Sequence, residues 1–178
     1  MGAFHFVRDI LFHNKAAEAK NKAAIENGEE PTEVPMKPIV GCEFFVCEDH
    51  KNKSVKDNGY QIVLLAKTKK GYHNLAKMSS IAYTEGFYYV PRIDRKVIQQ
   101  YKEDIIVLSG NLYGEIPNKI LNIGENQAEE ALIWWKNEFK EDFYIEVMRH
   151  NQEDENRVNE SLIYLVRKNE VKNIVTNN

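Results

Sequence analysis

Few of the side chains able to carry acid–base, nucleophilic or metal chemistry stand at spacings that would bring them together. His5, His13, His50 and His73 fall in helical or loop contexts without a partner at ligand spacing, and each is expected to be solvated or capping. His150 follows the strand pattern Phe143 to Val147, where it could face the mouth made by the strand ends, and a structural role is expected for it. Cys42 and Cys47 are five apart in a strand-like run, so they point to opposite faces and do not pair with each other. Neither sits in a metal-type cysteine cluster, and both read as structural thiols of a reducing cytoplasm. Lys67, Lys69 and Lys70 make a basic turn of the solvated kind. No glycine-rich phosphate loop, Ser-His-Asp pattern or polymerase carboxylate set is evident. The net charge of -3 argues against a DNA-binding surface held by this segment alone, because phosphate binding needs clustered Lys and Arg.

The elements that must position these groups alternate between strand and helix. Phe4, Val7, Ile10 and Leu11 recur at helical spacing, and the charged, alanine-rich run from Lys15 to Asn27 prolongs that helix with a weak apolar stripe. Gly28, Pro31 and Pro35 then break it into a surface connection. Pro38 to Val46 reads as a buried strand, Glu48 to Asn58 as a loop, and Tyr60 to Ala66 as a second strand, apolar on both faces. Tyr72, Leu75, Ser79 and Ala82 mark a helical face, and Ile93, Val97 and Tyr101 mark the next. Between them, residues 81–94 form an ordered loop: Gly86 releases the backbone, Phe87, Tyr88 and Tyr89 supply rings, Pro91 holds Val90 extended, and Asp94 caps the following helix. Ile105 to Leu108 is a short strand. Asn126 and Glu129 resemble a capping pair ahead of a stripe of Ala128, Ala131, Leu132, Trp135 and Phe139. Phe143 to Val147 is a strand, Glu153 to Lys168 a helix with Val158, Leu162, Leu165 and Val166 inward, and Ile174 to Thr176 begins a last strand. With 178 residues, 43% hydrophobic and 29% charged, this is one globular domain of α/β class with a mainly parallel sheet, and no apolar run approaches the about 20 residues of a membrane span.

Several blocks, in order, are similar to one family. Lys37-Pro-Ile-Val-Gly-Cys-Glu43, Ile62-Val-Leu-Leu-Ala-Lys67, the loop ending in Pro91-Arg-Ile-Asp94, Leu108-Ser-Gly-Asn-Leu-Tyr-Gly-Glu115, Asp142-Phe-Tyr-Ile-Glu146, Arg157-Val-Asn-Glu160 and Val175-Thr-Asn177 resemble the polymerase-and-histidinol-phosphatase (PHP) domain of bacterial DNA polymerase III alpha subunits. The resemblance covers the chain from Lys37 onward and only loosely what precedes it. It implies a partial distorted β/α (TIM-like, PHP-type) barrel, with 1–36 as a helix and exposed connection leading into an incomplete PHP domain at 37–178. The family's opening H-x-H and aspartate-histidine-glycine motifs do not occur, and Thr176-Asn-Asn178 stands where relatives continue into aspartate and histidine, so the chain is expected to be incomplete at both ends.

Carried over position by position, Glu43 matches the family's acidic metal ligand, Gln61 stands where a ligand histidine begins the second strand, Asn111 where relatives often have cysteine, and Asn178 in place of the aspartate. An amide oxygen does not compensate a cation as carboxylate, imidazole or thiolate would. The resemblance therefore implies a degenerate metal site, with Glu43 as the sole ligand should any metal bind and no cofactor expected here, against zinc or manganese in active relatives. Glu43 itself is expected to pair with a lysine or arginine, or to join a hydrogen-bonded remnant with Gln61, Asn111 and Asn178. Arg92 either lines the old cavity or meets a carboxylate. Two functions follow: a non-catalytic structural and partner-binding module of a cytoplasmic replicative polymerase, touching the rest of the alpha subunit, proofreading or accessory subunits, and DNA only through the parent protein; or a metal-dependent 3′-5′ exonuclease or phosphoesterase. Nucleotide polymerisation would belong to later domains.

Overall fold

The loop 48–59 joins its two flanking strands without a helix, and that local fact sets the pattern of the sheet: a connection of this kind yields an antiparallel pair. The computed structural model describes residues 2–149 and 153–176, and they fall into two compact units, Met1–Val40 and Gly41–Asn178. In the first, α1 (Gly2–Glu26) ends at Gly28, whose φ of +78° turns the chain back. The returning segment is fastened to the helix by two asparagines. Asn14 exchanges side-chain hydrogen bonds with the Met36 backbone at 2.7 and 2.8 Å, and Asn21 does the same with Glu33 at 2.7 and 3.0 Å. They stand seven residues apart, on one helix face, with Ala17 buried between them.

The second unit carries six strands, β1 (Gly41–Cys47), β2 (Tyr60–Ala66), β3 (Arg92–Asp94), β4 (Ile105–Leu108), β5 (Phe143–Val147) and β6 (Lys172–Val175), in the order β3-β1-β2-β4-β5-β6. The pairs β1–β3, β4–β5 and β5–β6 are parallel; β2 runs antiparallel to both of its neighbours. The sheet is mixed, mostly parallel and not closed. Helices α2 (Lys69–Thr84), α3 (Arg95–Tyr101), α4 (Glu115–Asn122), α5 (Glu125–Phe139) and α6 (Glu153–Lys168) complete the unit. Phe44, Ile62, Leu64, Val107, Phe143 and Ile145 meet Met78, Ile116, Leu132, Trp135 and Leu162 in one core. No helix among the described residues is long and apolar enough to cross a membrane.

The strands at 60–66, 105–108 and 143–147, the helix at 153–168 and the α5 stripe lie where the sequence pattern places them. Other expectations shift, each for a local reason. β1 starts at Gly41 instead of Pro38, because its ladder with β2 begins at the Gly41–Leu65 pair. Gly71, Asn74, Leu75, Met78 and Ala82 are the buried side of α2, while Tyr72 is 41% exposed. The helix is rotated by Gly71, where a Cβ would stand 2.2 Å from the Asp104 carbonyl oxygen. Asn126 and Glu129 do not cap α5: Gly124 precedes it without a side-chain bond, and Glu129 instead binds Lys168 and Asn169. Ile93 lies in β3 and not in α3. Asp94 does cap α3, its Oδ1 accepting from the Val97 N–H at 3.0 Å.

Candidate functional site

Alternation along the strands sorts the polar groups. Phe44, Val46, Ile62 and Leu64 face the helical core, so Glu43, Gln61, Val63 and Leu65 face the other way, and the register extends this opposite face through Leu108 to Tyr144 and Glu146. There a cavity of about 370 Å³ is lined by Glu43, Cys42, Val63, Asn111, Glu146 and Thr176, among others. Glu43 is exposed and its carboxylate has no hydrogen bond or ion pair among the described residues, so the lysine or arginine partner expected for it is not found.

Glu146 is the carboxylate that sequence reasoning left as a strand residue. It is 6% exposed, Oε1 accepts from the Thr176 hydroxyl at 3.0 Å, and Oε2 is buried without a hydrogen bond. The backbone N–H of Glu146 is held by Ser109 Oγ at 2.9 Å, which fixes the strand end. Burial pushes its carboxyl above the usual 4.5, the Thr176 hydroxyl and Gly110 N–H draw it down, and the Glu43 charge adds to the rise. A signal was present: one acid inside the otherwise apolar run Phe143-Tyr-Ile-Glu-Val147. Burial, and then the neighbouring Glu43, push the Cys42 thiol up, so it stays protonated.

Of the remaining expected residues, Gln61 and Asn111 join no hydrogen-bonded cluster among the described residues. Asn111 turns its Oδ1 back to the Tyr113 N–H at 2.9 Å, and Gln61, two positions along β2 from the cavity wall, has a buried Oε1 with no partner. Short-range turn geometry satisfies Asn111 before it can reach across the cavity. His150 and Asn178 lie outside the described residues. Arg92 neither lines the cavity nor meets a carboxylate. It is fully buried at the β3 edge beneath the loop 48–59, donating to the carbonyls of Gly86 (3.0 Å), Asp57 (2.7 Å), His50 (3.2 Å) and Asn52 (3.0 Å), with the Tyr88 ring 5.5 Å away. Nor is His50 solvated: it is 6% exposed, with Nδ1 2.5 Å from Asp94 Oδ2. Lys67 and Lys70 pair with Asp142 and Glu103 at 2.9 and 2.6 Å, as a turn cluster would.

The cavity's donors among the described residues are two carboxylates, one amide, one hydroxyl and one protonated thiol, with no imidazole. Among the described residues, three metal-ligating groups converge only at Asp49, His50 and Asp94, away from this cavity. Such a set does not fit a multi-metal phosphoesterase centre, which needs several anionic or imidazole ligands on each ion.

The PHP domain profile matches residues 7–150, and the chain belongs to that family. The match takes in most of α1, ahead of Lys37. The chain is 37% identical over 170 residues to the DNA polymerase III subunit alpha of Borreliella burgdorferi, covering 88% of this chain and 15% of that protein. It is 41% identical over 124 residues to that of Chlamydia trachomatis serovar D, 67% of this chain and 10% of that one, and 37% identical over 159 residues to that of Thermus aquaticus, 86% and 13%. The chain thus spans 10–15% of the length of these relatives.

Proposed function

We propose that this chain is the PHP portion of a DNA polymerase III alpha subunit and serves replication as a non-catalytic structural and partner-binding module. The donor set of the cavity carries this reading: among the described residues it offers two carboxylates and no imidazole, and Asn111, at a position where the resemblance puts a ligand, is tied into its own turn. The open sheet is read as part of a distorted β/α barrel whose inward face bears Glu43 and Glu146, with residues 1–36 leading into a single domain at 37–178. Its principal partner is the remainder of the alpha subunit, with proofreading or accessory subunits and DNA met through that parent. A cytoplasmic location follows from the same reading.

A second reading, a metal-dependent 3′-5′ exonuclease, is favoured by one observation, the unpartnered Oε2 of Glu146 facing the same cavity as Glu43. The two are separated by a single-strand exonuclease assay with added zinc or manganese, run on the native chain and on Glu43→Ala and Glu146→Gln. The module predicts no turnover above a no-protein control. Turnover abolished by either substitution would overturn it and establish a nuclease.

A further inference from the structure

A second cavity, of about 520 Å³, opens at the C-terminal end of β1, beside the starts of α3 and α4. Its cationic side chains come from those helices, Arg95 and Lys96 from α3 and Lys119 from α4. Its carboxylates are Glu115, which opens α4, and Glu48 and Asp57 of the loop 48–59. The lining is balanced in formal charge but not in hydrogen-bonding capacity. Glu115 is fully engaged: Oε1 accepts from Arg95 and Lys119, both at 2.8 Å, and Oε2 accepts from the Trp135 indole at 2.9 Å. Asp57 is engaged as well, Oδ2 with the Glu48 N–H at 3.0 Å and Oδ1 with the Gly59 N–H at 2.9 Å. Of the three acids, only Glu48 keeps a free carboxylate among the described residues, and it is exposed.

The donors are in the opposite condition. Arg95 gives a single hydrogen bond, to Glu115, from a guanidinium with several N–H groups; Lys119 gives one from its ammonium; Lys96 has no hydrogen bond or ion pair among the described residues. The Arg95 guanidinium is already held in place, 4.3 Å from the centre of the Trp134 ring, and it converges with Lys119 on one oxygen of Glu115. Spare cationic donors gathered where the acceptors are spent favour an occupant that accepts hydrogen bonds and carries negative charge. Space decides what else it carries. The cavity is far larger than a bare oxyanion and lies within the about 300–1,000 Å³ of small-molecule sites. Tyr60 also lines it, and Glu48 can accept from a hydroxyl or amino group.

We infer that this cavity binds a phosphomonoester of nucleotide size, a nucleoside or sugar monophosphate, with the phosphate on Arg95, Lys96 and Lys119 and the organic part toward Tyr60 and Glu48. The site is separate from the cavity of Glu43 and Glu146 and goes beyond the module reading, which stands or falls on other evidence. Ligand-observed NMR of the whole chain with adenosine 5′-monophosphate tests it, with adenosine and inorganic phosphate as comparators. Saturable binding of the monophosphate is expected, with competition by inorganic phosphate, no competition by adenosine, and an affinity that falls as salt rises from about 0.01 to 0.15 M. Lys96→Gln, an exposed change that leaves the Glu115 network whole, should weaken binding about threefold or more, and Lys119→Gln about tenfold. Lys96→Gln decides alone should Lys119→Gln not fold. Any of four results overturns the proposal: no saturation below about 10 mM; adenosine binding as well as its monophosphate; binding unchanged in Lys96→Gln; or tighter binding of a 5′-phosphorylated single-stranded deoxyoligonucleotide, which would put a strand end there in place of a small ligand.

Discussion

At the scale of single residues, the sequence distinguishes poorly between acids that serve as ligands and acids that fold. Glu146 and Glu115 are both buried carboxylates, yet their environments act in opposite directions. Glu115 is pushed up by burial, but Lys119 and Arg95, each at 2.8 Å, and the Trp135 indole N–H at 2.9 Å more than offset this and hold it below 4.5. It is a structural acid, with its stabilisation present above the unfolded value and lost as pH falls through the lowered one. Glu146 is raised, so its ionised form costs stability: the cost is absent below the unfolded value near 4.5 and complete above the folded one. Glu146→Gln should therefore raise Tm by a few degrees near pH 7, and the gain should close as the pH approaches 4. A substitution that destabilises near pH 7, and only when manganese or zinc is present, would instead mark Glu146 as a ligand. Glu43 and Asn111, singled out from short blocks of the sequence, both line the cavity. The burial of His50 was not legible, because its partner Asp94 is 44 residues away and no spacing rule links a loop histidine to a helix cap.

At the scale of elements, the loop between α2 and α3 works through its backbone more than through its rings. The sequence made Gly86 a helix breaker, but the reason only glycine fits is contact: a Cβ there would lie 1.9 Å from the Arg92 carbonyl oxygen. Tyr83 and Phe87 stack with centroids 6.4 Å apart, both well exposed, and Tyr89 adopts a φ of 63°, a region that disfavours a large side chain. What holds these residues is Arg92, whose guanidinium fork gathers carbonyls from the loop 48–59 and from Gly86. No periodicity reports such a hub, because its partners are main-chain atoms of any residue type. Lysine cannot reproduce the planar fork. Arg92→Lys should cost about 3 kcal/mol or more, since several buried carbonyls lose their donors together. Urea unfolding measures it, and a loss under about 1 kcal/mol would mean that water replaces the guanidinium and the hub is not structural.

At the scale of the whole unit, stability should decrease from the middle of the sheet toward β6. β2 is paired with β1 from Tyr60 to Leu65 and with β4 from Val63 to Ala66, and Ile62 and Leu64 are 2% and 0% exposed. Among the described residues β6 pairs only with β5, and each of its residues is exposed, Val175 at 77%. Opening β6 uncovers little apolar surface, whereas opening β2 breaks two ladders and the core. Native-state hydrogen exchange should accordingly find the amides of Ile62 to Leu65 exchanging only through global unfolding, and those of Lys172 to Val175 several orders of magnitude sooner. Equal protection at both places would refute this gradient. The gradient also bears on the module reading. An edge strand with exposed Ile174 and Val175 on its two faces is where a polypeptide neighbour can add hydrogen bonds and bury apolar surface together. If the remainder of the alpha subunit is that neighbour, protection at β6 should rise in the full-length polymerase while protection at β2 stays as it is.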